Sequence, residues 1–180
     1  MNLANKLTVI RILLVPIFLV FIALNTSLGT ILATIVFVVA SLTDKLDGYI
    51  ARSRNQVTTF GKFMDPLADK LLVTSALVSL VELQVIPGWV AMIIIAREFA
   101  VSGLRTLAAS EGIVIAASNW GKAKTVIQIV AIIAGLVTLS YNSWIIKIIT
   151  MISMTLAVII TIISGLDYFY KNVDVIKMDK

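Results

Sequence analysis

Six apolar stretches separated by polar connections constrain this chain more than any other feature: 7–24, 28–43, 71–81, 89–104, 125–139 and 144–166. A helix needs about 20 residues to cross the hydrocarbon layer of a bilayer. The first and last stretches reach or approach that length. The third and fourth do so only if Asp69, Lys70, Arg97 and Glu98 are taken into or beside the helix. Charges at that depth are costly unless they face a protein interior or a wet cavity. Function is therefore expected on the short, interrupted stretches. The fold class expected is an all-α integral membrane protein with six transmembrane helices, one domain over residues 1–180.

Composition narrows the chemistry. Hydrophobic residues make up 59% of the chain and charged residues 14%, against about a quarter charged in soluble domains. There is no cysteine, which excludes disulfides, thiolate nucleophiles and zinc–sulfur sites. There is no histidine either, which removes the commonest general base and transition-metal ligand. Chemistry must run on carboxylates, lysine, arginine and hydroxyls, and a metal would be a hard cation such as Mg²⁺ or Mn²⁺. The net charge of +5 is scattered between apolar runs. That pattern suits anionic lipid head groups or anionic substrates rather than nucleic acid.

The charges also orient the chain. Arg52, Arg54 and Lys62 lie between the second and third stretches, and Arg105, Lys122 and Lys124 between the fourth and fifth. Lys171, Lys177 and Lys180 follow the sixth, whereas the alternate connections carry almost no charge. The positive-inside rule then predicts that both termini and both basic loops face the cytoplasm, in the cell membrane. Six crossings return the chain to its starting side, so the two signals agree. The first stretch follows Lys6 and contains Arg11, with no small-residue cleavage pattern after it, and reads as an uncleaved helix. Pro87-Gly88 and Asn142-Ser143 are turn signals. Asp65-Pro66 reads as an N-cap followed by proline at the first helical position, so the third helix is expected to start there.

The densest cluster of polar residues is Asp44-Lys-Leu-Asp47-Gly48-Tyr-Ile-Ala51-Arg52, followed by Gly61-Lys-Phe-Met-Asp65-Pro-Leu-Ala-Asp69. Asp44 and Asp47 are three apart, Asp65 and Asp69 four apart, so each pair shares a helix face. Antiparallel helices joined on one side of the membrane let the pairs converge. Four carboxylates at one point repel and resist ionising together unless cations neutralise them. Two divalent ions would do so, and a paired-metal site suits displacement at phosphorus, with a carboxylate taking the proton from an attacking hydroxyl. Which carboxylate does so is open at this level. Gly48 and Gly61 leave room for a nucleotide against the backbone, Ala51 keeps that wall shallow, and Arg52 suits a phosphate. Taken singly, each acidic pair reads as interfacial residues paired with Lys45, Arg52, Lys62 or Lys70. Four acids in register with two glycines do not.

The pattern D-x₂-D-G-x₂-A-R-x₈-G-x₃-D-x₃-D, matched here at all its fixed positions, resembles the signature of the CDP-alcohol phosphatidyltransferases. The resemblance implies six transmembrane helices with the active site facing the cytoplasm, and a homodimer. It implies that Asp44, Asp47 and Asp65 ligate Mg²⁺ or Mn²⁺, with Asp69 the general base and a ligand of a second ion. Gly48, Ala51, Arg52 and Gly61 would line the CDP site.

Arg97 and Arg105 lie eight residues apart on broadly one side of the fourth helix, and Lys122 and Lys124 follow in the next connection. Converging on the aspartates, these cations would hold an acceptor that itself carries phosphate. Arg97 stands well inside an apolar run, and Glu98 is expected to partner one of the arginines. The segments Arg97–Arg105, Gly121–Gln128 and Asn5-Lys-Leu-Thr8-Val-Ile-Arg11 resemble the branch of the family whose acceptor is sn-glycerol 3-phosphate. The implied reaction converts CDP-diacylglycerol and that acceptor to phosphatidylglycerophosphate and CMP. Rival readings are the same chemistry on inositol, inositol phosphate or serine, and a divalent-cation transporter. The transporter predicts acids near the bilayer midplane, not at a helix boundary.

Overall fold

The computed structural model describes residues 3–53, 59–113, 115, 119–141 and 143–173, with backbone alone for 3–4, 44–53, 59–63, 65–66 and 119. These residues form α1 (Leu3–Ala23), α2 (Ser27–Ser53), α3 (Thr59–Glu82), α4 (Gly88–Ser110), α5 (Asn119–Ser140) and α6 (Trp144–Lys171), with no strand among them. Each helix contains one of the apolar stretches, except that Leu24 falls just beyond α1. Asp69, Lys70, Arg97 and Glu98 all fall inside helices, which is how the third and fourth elements gain their length.

One boundary differs from expectation. α3 begins at Thr59, six residues before Asp65, so Asp65 is not its N-cap and Pro66 stands within the helix. Proline at the first helical position is a preference, whereas backbone hydrogen bonding near a membrane is close to a requirement. Pro66 costs the single rung that would reach the Lys62 carbonyl, and the helix continues through it. At the far end of α3, Gln84 adopts a left-handed conformation (φ 56°), and the Val85 N–H returns to the Leu80 carbonyl at 2.9 Å. The extended Pro87 then starts α4 (ψ 149°), as the Pro87-Gly88 signal implies. Of the other turn signal, Asn142 lies outside the described residues and Ser143 precedes α6 in extended conformation.

α1 packs against α2 and α3, α2 also against α5, and α5 against α6, which in turn holds α4. Lipid tails are as apolar as leucine, so helices in a membrane gain little from hydrophobicity alone and rely on close approach. The buried seams accordingly use small residues: Ala33, Ala40, Ala68, Ala76, Ala131 and Ala157 are fully enclosed. Gly135 of α5 lies so close to α3 that a Cβ there would meet Leu80 Cδ1 at 2.8 Å. Phe18 of α1 and Phe37 of α2 pack against each other between their helices, ring centroids 6.2 Å apart. Two polar side-chain pairs stitch α5 to α6: Gln128 Nε2 donates to Thr161 Oγ1 at 2.9 Å, and the Thr138 and Thr150 hydroxyls meet at 2.8 Å.

The outward faces are aliphatic, and α6 alone exposes Ile145, Ile149, Ile152, Leu156, Ile162 and Leu166. α1, α5 and α6 are each long and apolar enough to cross a membrane. Exposed aromatic residues mark helix ends, with Trp89, Tyr141 and Trp144 at one set of ends and Trp120 and Tyr170 at the other. Tryptophan and tyrosine favour the two membrane–water boundaries.

Candidate functional site

α2 and α3 run on past their apolar stretches, and the extensions carry the aspartates. Asp47 lies six residues before the end of α2, and Asp65 six residues after the start of α3. Asp44 and Asp69 lie nine and ten residues from the same ends. At 1.5 Å rise per residue, antiparallel neighbours joined by a short link place these acids in two matched layers, about 9 Å and 14 Å from the helix ends. The side chains of Asp44, Asp47, Gly48, Ala51, Arg52, Gly61 and Asp65 lie outside the described residues. The donor set is all oxygen, in a chain without histidine or cysteine, and so fits a hard divalent cation.

Asp69 is the aspartate of the four whose side chain is described. It is half-buried and engaged, and it shares a cleft with Lys70, Glu98, Lys124, Thr125 and Gln128. Three helices build this cleft: α3 supplies Asp69 and Lys70, α4 supplies Glu98, and α5 supplies the rest. Lys124 is buried and forms an ion pair with Glu98 Oε1, while Arg97 Nη1 lies 3.8 Å from the same oxygen. The expectation that Glu98 partners an arginine is thus only part of its role, because the nearer cation is a lysine on the next helix. Lys124 is within electrostatic reach of Arg97, Asp69 and Lys70, and Arg105 is within reach of Arg97 and Lys70. Lys70 and Lys124 therefore share the cleft with Asp69, and Arg97 and Arg105 extend the positive charge away from it, against Glu98 as the one other carboxylate in the cleft among the described residues. A surplus of that sign and density suits a multiply charged anion.

Arg97 is mostly buried, and its Nη2 donates to Ser164 Oγ of α6 at 2.7 Å. Eight residues on, Arg105 Nε donates to Tyr168 Oη at 2.9 Å. The two arginines thus lie along one seam with α6, as their spacing predicts. Lys122 is exposed and stands about 200° round α5 from Lys124, so it borders the cluster rather than entering it.

The sequence reading did not single out Lys70, Ser164 or Tyr168 as site residues. Lys70 adjoins Asp69, and Thr161, Ser164 and Tyr168 recur at helical spacing through an otherwise aliphatic run; those were the available signals. On α1, Asn5, Thr8 and Arg11 are three apart, buried and all engaged, although Arg11 falls within the first apolar stretch. Beside the cleft, an apolar groove lined by Leu19, Leu67, Leu71, Val78 and Phe99 shares Lys70 with it.

The sequence matches the CDP-alcohol phosphatidyltransferase pattern over residues 1–163. It is 42% identical to a CDP-diacylglycerol–glycerol-3-phosphate 3-phosphatidyltransferase of Bacillus subtilis, covering 98% of this chain and 97% of that protein. It is 41% identical to the Rickettsia felis protein of the same name, covering 93% of each. A third, from Haemophilus influenzae, is 40% identical over 93% of this chain and 91% of its own length.

Proposed function

The chain belongs to the CDP-alcohol phosphatidyltransferase family, and from that premise we infer that it transfers the phosphatidyl group of CDP-diacylglycerol to sn-glycerol 3-phosphate, giving phosphatidylglycerophosphate and CMP. The observation that carries this reading is the cleft where Asp69 meets Lys70 and the Glu98–Lys124 pair, with Arg97 and Arg105 within electrostatic reach. A neutral acceptor would have no use for so many cations.

It is a membrane protein, and we assign it one domain over residues 1–180 with six crossings, both termini and the cleft on the cytoplasmic side of the cell membrane. Supporting this are the basic connections and the exposed aromatic residues at both sets of helix ends. A homodimer completes the assignment.

Asp44, Asp47, Asp65 and Asp69 would hold two divalent ions, Mg²⁺ or Mn²⁺. When bound, such ions neutralise the carboxylates and draw charge from the phosphoryl oxygens. Gly48, Ala51, Arg52 and Gly61 line the CDP moiety. Arg97, Arg105 and Lys124 hold the acceptor phosphate, with Lys122 at the basic rim. Asp69 takes the proton from the acceptor's primary hydroxyl. That oxygen bonds to the lipid-side phosphorus, and the bond from this phosphorus to the bridging oxygen breaks, the electron pair leaving with CMP.

Purified protein in detergent is expected to release CMP from CDP-diacylglycerol only with sn-glycerol 3-phosphate and a divalent cation. Chelation should stop release, and Mg²⁺ or Mn²⁺ should restore it. Asp69→Asn should slow release by about 10²–10⁴-fold, the usual worth of a general base. Release that requires inositol or serine instead would overturn the acceptor assignment while leaving the chemistry intact.

A further inference from the structure

α6 is mostly a lipid-facing aliphatic helix, and its buried face is unlike the rest. Thr161, Ser164, Gly165 and Tyr168 fall at i, i+3, i+4 and i+7, on one stripe, and all are buried. Polar groups in a membrane helix are costly unless they find partners. Ser164 and Tyr168 find theirs in the two arginines: Nη2 of Arg97 at 2.7 Å and Nε of Arg105 at 2.9 Å. The Arg105 guanidinium carbon also lies 5.5 Å from the centre of the Tyr168 ring, within cation–π range. Gly165 completes the seat, since a Cβ there would press on Arg97 Cγ at 3.2 Å.

Interhelical hydrogen bonds of this kind often serve only to join helices. Two features give these a more particular use. First, both α6 partners are neutral hydroxyls, and the one carboxylate near Arg97 among the described residues, Glu98 at 3.8 Å, is held more closely by Lys124. A carboxylate would orient an arginine equally well but would cancel the charge that an anionic ligand needs. A carboxylate is close at hand in Asp167, yet it pairs with Lys171 at 2.7 Å instead. Second, Tyr168 takes only the Nε of Arg105, an exposed side chain, which leaves both terminal nitrogens without a partner among the described residues and able to form a paired contact with phosphate.

We propose that Ser164 and Tyr168 are positioning residues that aim Arg97 and Arg105 at the phosphate of the acceptor, which makes α6 a determinant of acceptor affinity. This rests on the reading of the cleft as a phosphorylated-acceptor site. Neither hydroxyl touches the reacting atoms, so loss of either weakens acceptor binding more than turnover.

The test is steady-state CMP release in mixed micelles, varying sn-glycerol 3-phosphate and CDP-diacylglycerol separately. Tyr168→Phe keeps the ring and removes the oxygen. It should raise the KM for sn-glycerol 3-phosphate about tenfold, the scale of one hydrogen bond to a charged group. kcat should change less than about threefold, with the KM for CDP-diacylglycerol unmoved. Ser164→Ala and Gly165→Ala should act the same way through Arg97. Thr150→Val removes a comparable interhelical bond far from the cleft and should lower thermal stability without changing either KM. If Tyr168→Phe leaves the acceptor KM unchanged while the parent enzyme uses sn-glycerol 3-phosphate, the positioning role is wrong and the proposed reaction stands. If Tyr168→Phe and Thr150→Val lose stability alike and neither shifts an acceptor KM, the hydroxyls only join helices. If the parent enzyme ignores sn-glycerol 3-phosphate, the reading beneath both proposals fails.

Discussion

Glu98 and Lys124 face each other with little water around them, their side chains 17% and 5% exposed. Removing one partner of such a pair leaves a poorly solvated charge, which costs about 3–5 kcal/mol, whereas replacing both often costs little. Lys124→Met is accordingly expected to lower the thermal midpoint sharply, and Glu98→Gln/Lys124→Met to recover most of that loss. CMP release should stay low in the double variant, because the acceptor phosphate still lacks its lysine. Thermal unfolding in detergent, read beside the release assay, separates the two effects. At this scale Arg97 was legible in the sequence because a charge inside an apolar run has few reasons to be there, Asp69 by its spacing from Asp65, and Arg105 and Lys124 because they border apolar runs on the side of the aspartates. Ser164 and Tyr168 were not, since hydroxyls are common in membrane helices and nothing in their spacing names the partner on another helix. The proposal of Asp69 as the base rests on resemblance; the carboxylate spacings alone treat the four acids alike.

Among the elements, all six helices could be read from hydropathy, and what hydropathy misjudged was where α2 and α3 end. An apolar stretch marks the portion of a helix inside the hydrocarbon, not the portion held by backbone hydrogen bonding, and α3 runs through Pro66 to Thr59. Packing between elements was illegible in a different way. Gly135 is one glycine in an apolar run by sequence, but in the fold it sets how closely α5 approaches Leu80 on α3. Gly135→Val would drive two methyl groups into that seam. The expected cost is about 1–3 kcal/mol, the usual range for overpacking. It should appear as a lower unfolding midpoint, together with reduced CMP release because α3 carries Asp69 and α5 carries Lys124.

For the whole molecule, the alternation of basic and nearly uncharged connections predicts which ends face the cytoplasm, and the absence of native cysteine makes that prediction simple to check. Single cysteines at Gln84→Cys and Ser143→Cys should react with a membrane-impermeant thiol reagent on intact cells. A cysteine at Glu111→Cys, beyond α4, should react only after the membrane is opened. The reverse pattern would turn the cleft outward and away from cytoplasmic acceptors.

The groove of Leu19, Leu67, Leu71, Val78 and Phe99 opens from Lys70 along the apolar flank of α1, α3 and α4. A site with such a flank draws its two reactants from different phases, one travelling in the plane of the bilayer and the other through water. Velocity then answers to the mole fraction of CDP-diacylglycerol among the surrounding amphiphiles rather than to its bulk concentration. Adding inert lipid slows such a reaction even when no reactant has been removed, so membrane composition itself becomes a throttle on the rate.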